Sequence, residues 1–165
     1  MRYAQIRKCD IANGAGIRTS LYIQGCSRHC KGCFNPETWD FQGGKPWTED
    51  VEREFLNLIG KPHIVGVTIL GGEPLEPQSR AGVLDLLQKI RQRYPKKNIW
   101  IYSSYVYEEL LEECREILEN IDVLVDGMFV EELKDARLKF RGSSNQRVID
   151  VVKSLQEGGD PCHYS

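Results

Sequence analysis

Four short apolar runs punctuate the chain: RTSLYIQG (18–25), IVGVTILGG (64–72), NIWIYSS (98–104) and IDVLVDG (121–127). Their apolar positions are near-continuous rather than alternating, which predicts strands buried on both faces. Between them the period becomes that of a helix. Val51, Phe55, Leu58 and Ile59 share a face behind Thr48, a suitable N-cap, with Glu49 and Asp50 placed for the first turn. Val83, Leu87, Ile90 and Tyr94 recur at i, i+4, i+7 and i+11 until Pro95 ends the helix. A third helix is predicted from about Tyr105 to Leu118. The order β, long loop, α, β, α, β, α, β predicts an α/β fold with a parallel sheet and right-handed crossovers. After Val130 the pattern weakens into a polar stretch, then LKF, a turn-rich RGSSN, and QRVIDVVKSL, where periodicity leaves strand and helix both open. No repeat, low-complexity segment or linker interrupts residues 1–165, so one domain is expected, with a mobile Gly-rich tail from about 157.

In such folds ligands gather at the carboxyl ends of the strands. The unusual residues lie at those ends: Gly25-Cys26, Gly71-Gly72-Glu73-Pro74, Ser103-Ser104 and Asp126-Gly127. Four strand ends with atypical chemistry are expected to point into one mouth.

Composition narrows the setting. With 41% hydrophobic and 28% charged residues, the chain has the profile of a soluble globular protein. A formal charge of −2 offers no general reason to expect nucleic acid, and the basic run RQRYPKK from Arg91 reads as solvated helix end. The opening MRYAQIRKCD lacks the apolar core of a signal peptide, and no apolar run approaches membrane-spanning length. A cytoplasmic protein without membrane contact is expected, and in that compartment six cysteines argue against a disulfide framework.

Half of those cysteines cluster. Cys26, Cys30 and Cys33 are spaced C-x3-C-x2-C, with no fourth cysteine nearby. Thiolates select zinc, copper(I) or iron–sulfur clusters. A structural zinc would need a fourth donor, and His29 lies too close to Cys26 and Cys30 for an easy tetrahedral site. A [4Fe–4S] cluster with three protein-held irons would leave one iron open to a chelating amine and carboxylate. The zinc reading describes an interaction module; the open-iron reading describes an enzyme. Cys114 falls on a helical apolar stripe with Leu110, Ile117 and Leu118 and reads as a core thiol. Cys9 is open to either reading, and Cys162-His163 belongs to the tail. The scattered His29, His63 and His163 suggest no acid–base role.

C-x3-C-x2-C resembles the signature of the radical S-adenosylmethionine superfamily, and GGEP, Gly71 to Pro74, is similar to its second motif. NGAGIRTSLYIQGC, Asn13 to Cys26, resembles the Gly-Pro-Gly-Ile-Arg segment of glycyl-radical-enzyme activases, with Ala15 in place of proline. GCFNPETWD and VLVDGMF…LKFRGSSNQRVID resemble the branch that serves anaerobic ribonucleoside-triphosphate reductase, FRGSSNQR (140–147) being the most selective piece. The resemblance spans about Asp10 to Asp150. It implies a partial (βα) barrel with a mostly parallel sheet, a [4Fe–4S] cluster on Cys26, Cys30 and Cys33, and S-adenosyl-L-methionine at the open iron. Gly71, Gly72 and Glu73 are then expected to bind the methionine amine through a carbonyl and the carboxylate. Ser103 stands where the branch carries threonine and keeps its hydroxyl, so it is expected to keep the hydrogen bond to the cofactor; Ser104 replaces a glycine. Asp126 is expected to contact the cofactor or a cation beside it. The implied reaction cleaves S-adenosylmethionine reductively and uses the 5′-deoxyadenosyl radical to make a glycyl radical on the large reductase subunit, fed by a flavodoxin- or ferredoxin-type electron donor. An activase for another glycyl radical enzyme is the neighbouring alternative, although the chain has no room for the ferredoxin-like insert that many of those carry.

Overall fold

The computed structural model describes residues 1–165. In chain order the elements are β1 (Arg2–Asp10), β2 (Arg18–Ile23), β3 (Lys45–Pro46), α1 (Glu49–Ile59), β4 (Gly66–Gly71), α2 (Pro77–Arg93), β5 (Asn98–Ser103), α3 (Tyr107–Glu113), α4 (Arg115–Glu119), β6 (Val123–Asp126), β7 (Arg147–Asp150) and α5 (Val151–Gln156). The strands form one open sheet in the order β3-β1-β2-β4-β5-β6-β7. Its centre, β2-β4-β5-β6, is parallel, as the four apolar runs predict. Both flanks are antiparallel: β1 and β3 on one side, β7 on the other. The sheet therefore ends in two edges and does not close.

The flanking strands escaped the hydrophobic pattern for physical reasons. Most of β1 is solvent-facing, with only Tyr3 and Asp10 buried, so its ladder to β2 rather than its composition makes it a strand. The run QRVIDVVKSL is strand and helix in turn. Asp150 closes β7 and caps α5, accepting a hydrogen bond from Lys153 N at 3.0 Å. Thr48 caps α1 as expected, accepting from Val51 N. The single third helix is corrected: the backbone at Cys114 (φ −150°, ψ 54°) breaks it into α3 and α4, leaving the thiol half-buried against the core. The basic run is not simply solvated either. Arg91 bonds Asp122 at 2.7 Å and the Asn120 and Lys97 carbonyls, tying the end of α2 to the start of β6.

Helices cover only one face of the sheet. Leu21, Ile23, Val67, Ile69, Ile99, Ile101 and Leu124 point to that side and join Phe55, Val83, Leu87, Leu110 and Leu118 in the main core. The alternate residues point the other way, to a face covered by loops: residues 11–17, the cysteine-bearing 26–40 and the long 127–146. There Trp100, Val123 and Val125 form a small cluster with Ala15, Tyr102 and Phe140. The expectation of strands covered on both faces holds, but one cover is made of loops.

On this face Arg18 is fully buried without a carboxylate partner. It donates to Thr68 Oγ1, Ala15 O, Val67 O and Asn98 O at 2.8–3.1 Å and lies over the Trp100 ring. Burial lowers its pKa to about 10. It ties the amino ends of β2, β4 and β5 together. The chain end, expected to be mobile, runs back along β7: Asp150 N donates to Cys162 O, Tyr164 N donates to Val148 O, and Tyr164 packs on Trp100. No helix is long and apolar enough to cross a membrane.

Candidate functional site

A cavity of about 580 Å³ opens on the loop-covered face at the carboxyl ends of the parallel strands. Cys26, Cys30 and Cys33 line it, together with Gly71, Gly72, Glu73, Ser103 and Ser104. Strand ends separated by up to 101 positions in the chain, from Cys26 to Gly127, thus share one wall.

The cysteine loop is built by its backbone. Gly25 sits at φ +110°, where a Cβ would come within 2.4 Å of the Phe41 ring, so glycine is required for the chain to leave β2 here. Gly25 N donates to Thr38 O at 2.7 Å and Cys26 N to Trp39 O at 3.1 Å, which ties the cysteine turn to the NPETWD segment. From below, Glu76 Oε1 accepts from both N and Oγ of Ser27 at 2.7 Å. Cys33 N closes a turn onto Cys30 O at 3.1 Å. His29 adopts φ +49° and stacks flat on Trp39 at 4.4 Å, outside the cavity lining.

The donor set fits a cluster. No three His, Cys, Asp or Glu side chains converge tightly enough to hold a single metal ion, and three thiols line a cavity with room for a larger group. Main-chain N–H groups already point at the sulfurs: Asn35 N donates to Cys33 Sγ at 3.4 Å, and those of Arg28 and His29 lie against Cys26. Burial pushes the Cys26 thiol pKa up, and these N–H groups oppose it. Burial also raises Cys30, with its neighbour Cys33 adding to the shift. Such thiols ionise when a metal supplies positive charge, and the N–H groups then hydrogen-bond the ligated sulfur. Trp39 Nε1, in the same wall, is a buried donor with no protein acceptor.

The GGEP loop is stitched to the cysteine turn. Gly72 N donates to Ile23 O at 2.9 Å and Glu73 N to Gly25 O at 2.8 Å; a Cβ on Gly72 would sit 2.5 Å from Gly25 O. The Glu73 carboxylate is fully buried and already employed. Oε2 accepts from Leu75 N and Ser103 Oγ at 2.8 and 2.9 Å, and Oε1 accepts from Ser104 N and Oγ at 2.5 and 2.6 Å. Burial raises its pKa against the pull of those four bonds. Glu73 therefore fuses the ends of β4 and β5, and the loop's backbone and the outer edge of this network are what border the cavity. The two serines strengthen the network: Ser104 Oγ also accepts from Arg28 Nε at 3.1 Å, and Ser103 Oγ from Tyr105 N at 3.1 Å.

Asp126 does not line the cavity. Its oxygens cap α3 through Tyr107 N at 2.8 Å and pair with Arg147 at 2.5–3.0 Å, on the helix side of the sheet. The expectation that it contacts a cofactor gives way to the ordinary role of a strand-end aspartate. Its neighbour Gly127 does reach the cavity.

FRGSSNQR, a polar surface loop when read in isolation, is cavity wall. Gln146 Oε1 accepts from Gly142 N and Ser143 N, and its Nε2 donates to Gly127 O, closing the base of the 127–146 loop. Phe140, at φ +66°, packs on Trp100 at the cavity edge. The opposite wall carries residues that sequence reasoning left out: Asn13 Nδ2 donates to Asp10 Oδ2 and Tyr22 Oη. Burial alone would raise the Asp10 pKa, but hydrogen bonds from Ser20, Asn13 and Ala12 outweigh it and hold the carboxyl below its ordinary value. Glu76 and Arg28 were likewise missed: only the folded chain brings Glu76 to the cysteine turn, and only there does Arg28, within that turn, meet Ser104 and Tyr105.

Residues 12–149 match the family described as 4Fe-4S single cluster domain. The chain is 41% identical over 150 residues to the anaerobic ribonucleoside-triphosphate reductase-activating protein of Escherichia coli K12, covering 90% of this chain and 97% of the relative. It is 36% identical over 148 residues to the protein of that name from enterobacteria phage T4, covering 90% and 93%, and 37% identical to that of Vibrio cholerae, covering 88% and 96%.

Proposed function

Because the chain belongs to the family of anaerobic ribonucleoside-triphosphate reductase-activating proteins, with their 4Fe-4S domain, we propose that it is a radical S-adenosylmethionine activase for such a reductase. In this reading Cys26, Cys30 and Cys33 hold a [4Fe–4S] cluster whose fourth iron is left to S-adenosyl-L-methionine. Held there, the cluster would supply the one electron that splits the sulfonium C5′–S bond into methionine and a 5′-deoxyadenosyl radical, which would take a Cα hydrogen from a glycine of the large reductase subunit and leave as 5′-deoxyadenosine. A flavodoxin- or ferredoxin-type protein provides the electron, in the reducing cytoplasm.

The observation that carries the reading is the shared wall: three thiols and the GGEP backbone line one cavity, stitched together by the Glu73 N–Gly25 O bond of 2.8 Å. In this assignment the Gly71-Gly72 backbone receives the methionine ammonium, while Glu73 sets the loop's shape and lends negative charge behind it. Asn13, Tyr22 and the 138–146 wall border the remaining volume, where the rest of the cofactor would lie. The sheet stays open at its β3 and β7 edges, so we read it as the partial barrel of this superfamily, completed by loops.

Anaerobic reconstitution with iron and sulfide, followed by EPR of the dithionite-reduced protein with and without S-adenosylmethionine, tests the cluster. Adding the large reductase subunit tests the target. A [4Fe–4S]⁺ signal that changes with the ligand, followed by a glycyl radical signal on the reductase, is the expected result. Stoichiometric zinc with no cluster signal overturns it.

A further inference from the structure

Three arginines, Arg7, Arg28 and Arg141, line the cavity, and none forms a salt bridge. The one carboxylate that lines the cavity with them, Glu73, has both oxygens occupied. An anionic group from outside the chain is therefore the partner this cavity lacks.

Arg28 is the best placed of the three. It sits between Cys26 and Cys30 in the chain, and its charge acts on the Cys30 thiol. Its guanidinium is oriented on two sides: Nε donates to Ser104 Oγ at 3.1 Å, and the plane stacks over the Tyr105 ring at 4.4 Å. No protein acceptor takes Nη1 or Nη2, which leaves the forked end of a pre-aimed guanidinium free at the junction of the cysteine loop and the Glu73 network. A ligand whose ammonium rests on Gly71-Gly72 carries its α-carboxylate only two bonds further on.

We propose that Arg28 binds the α-carboxylate of the methionyl group and so makes the site selective for an amino-acid sulfonium. The inference rests on the cofactor reading above. Ser104 is then a positioning residue, since its hydroxyl links Arg28 to Glu73.

Dissociation constants for S-adenosylmethionine and for decarboxylated S-adenosylmethionine, measured by equilibrium dialysis on the reconstituted protein, test this directly. A charge-assisted hydrogen bond lost in Arg28→Ala should weaken S-adenosylmethionine on the order of 10- to 100-fold and leave the decarboxylated analogue unchanged. Arg28→Lys, which keeps charge without the fork, should fall between. Iron content and the cluster absorbance of each variant serve to exclude a damaged cysteine loop. Equal losses for both ligands would overturn the proposal and make Arg28 a brace for Ser104; no loss for either would overturn it outright. A wild-type protein that binds neither ligand would instead sink the cofactor reading.

Discussion

The two faces of the sheet are built from the same strands and do different work. On the helix side, Leu21, Ile69, Ile101 and Leu124 pack against the helices in a core of 23 buried residues, a cluster large enough to carry most of the fold's hydrophobic stabilisation. On the loop side the clustered apolar core is only Trp100, Val123 and Val125, and much of the rest is polar: Arg18, Ser20 and Thr68 are fully buried, held by side-chain hydrogen bonds. A helix packed on a sheet leaves no room for a ligand. Loops satisfied by backbone and side-chain hydrogen bonds can stand off the sheet and leave a cavity. Stability lives on one face and chemistry on the other.

The sharpest way to break that division is at the cysteines. Cys30→Ser should reduce bound iron and sulfide after reconstitution to background and abolish activation of a reductase, while the cluster-free variant unfolds in urea within about 1 kcal/mol of the parent. A large stability loss in the cluster-free protein would make the cysteine loop part of the core. The mirror experiment is Leu87→Ala on the helix side, where the side chain is fully buried. It should cost about 3 kcal/mol in urea unfolding, with iron content per folded molecule unchanged.

Glu73→Gln tests the seam between the two faces. An amide NH₂ would face N–H and O–H donors from Ser103, Ser104 and Leu75, where an acceptor is needed. A loss of about 2 kcal/mol is expected, together with loss of the S-adenosylmethionine-dependent change in the cluster EPR signal. Retention of that change would show that the β4–β5 seam does not shape the cofactor loop.

The smallest expected effect is at Asp10, beneath the loop-side wall. Its folded-state pKa lies below the ordinary 3.8, so its ionised form contributes stability that is fully present above that value and is lost as pH falls through the folded value. Asp10→Asn should cost about 1 kcal/mol at neutral pH, and the gap to the parent should close below about pH 3.8. Urea midpoints across that range measure it; a gap that widens toward low pH contradicts the assignment.

Some of this could be read without coordinates and some could not. Central strands are legible because Val67, Ile69, Ile99 and Ile101 must be buried wherever the chain folds. The difference between the faces is not, because Tyr22, Leu70, Tyr102 and Val125 look as apolar as core residues yet line the cavity. Hydropathy reports that a side chain leaves water, not whether a helix or a loop takes it. Strand β1 was invisible for the opposite reason: it is polar and pairs by its backbone.

Glu73 and Asp126 draw the line most clearly. Each is an acidic residue at the end of a parallel strand, and in the sequence they carry the same promise. The cysteine spacing and the glycines of GGEP needed no coordinates, since their chemistry follows from residue type and local backbone freedom. The fate of the two carboxylates was decided in three dimensions. Arg147, arriving on antiparallel β7, takes Asp126 for the helix side, while Ser104 and the Gly25 turn draw Glu73 into the cavity wall. A carboxylate's role depends on which donors reach it, and those donors come from elements that only the tertiary fold brings together.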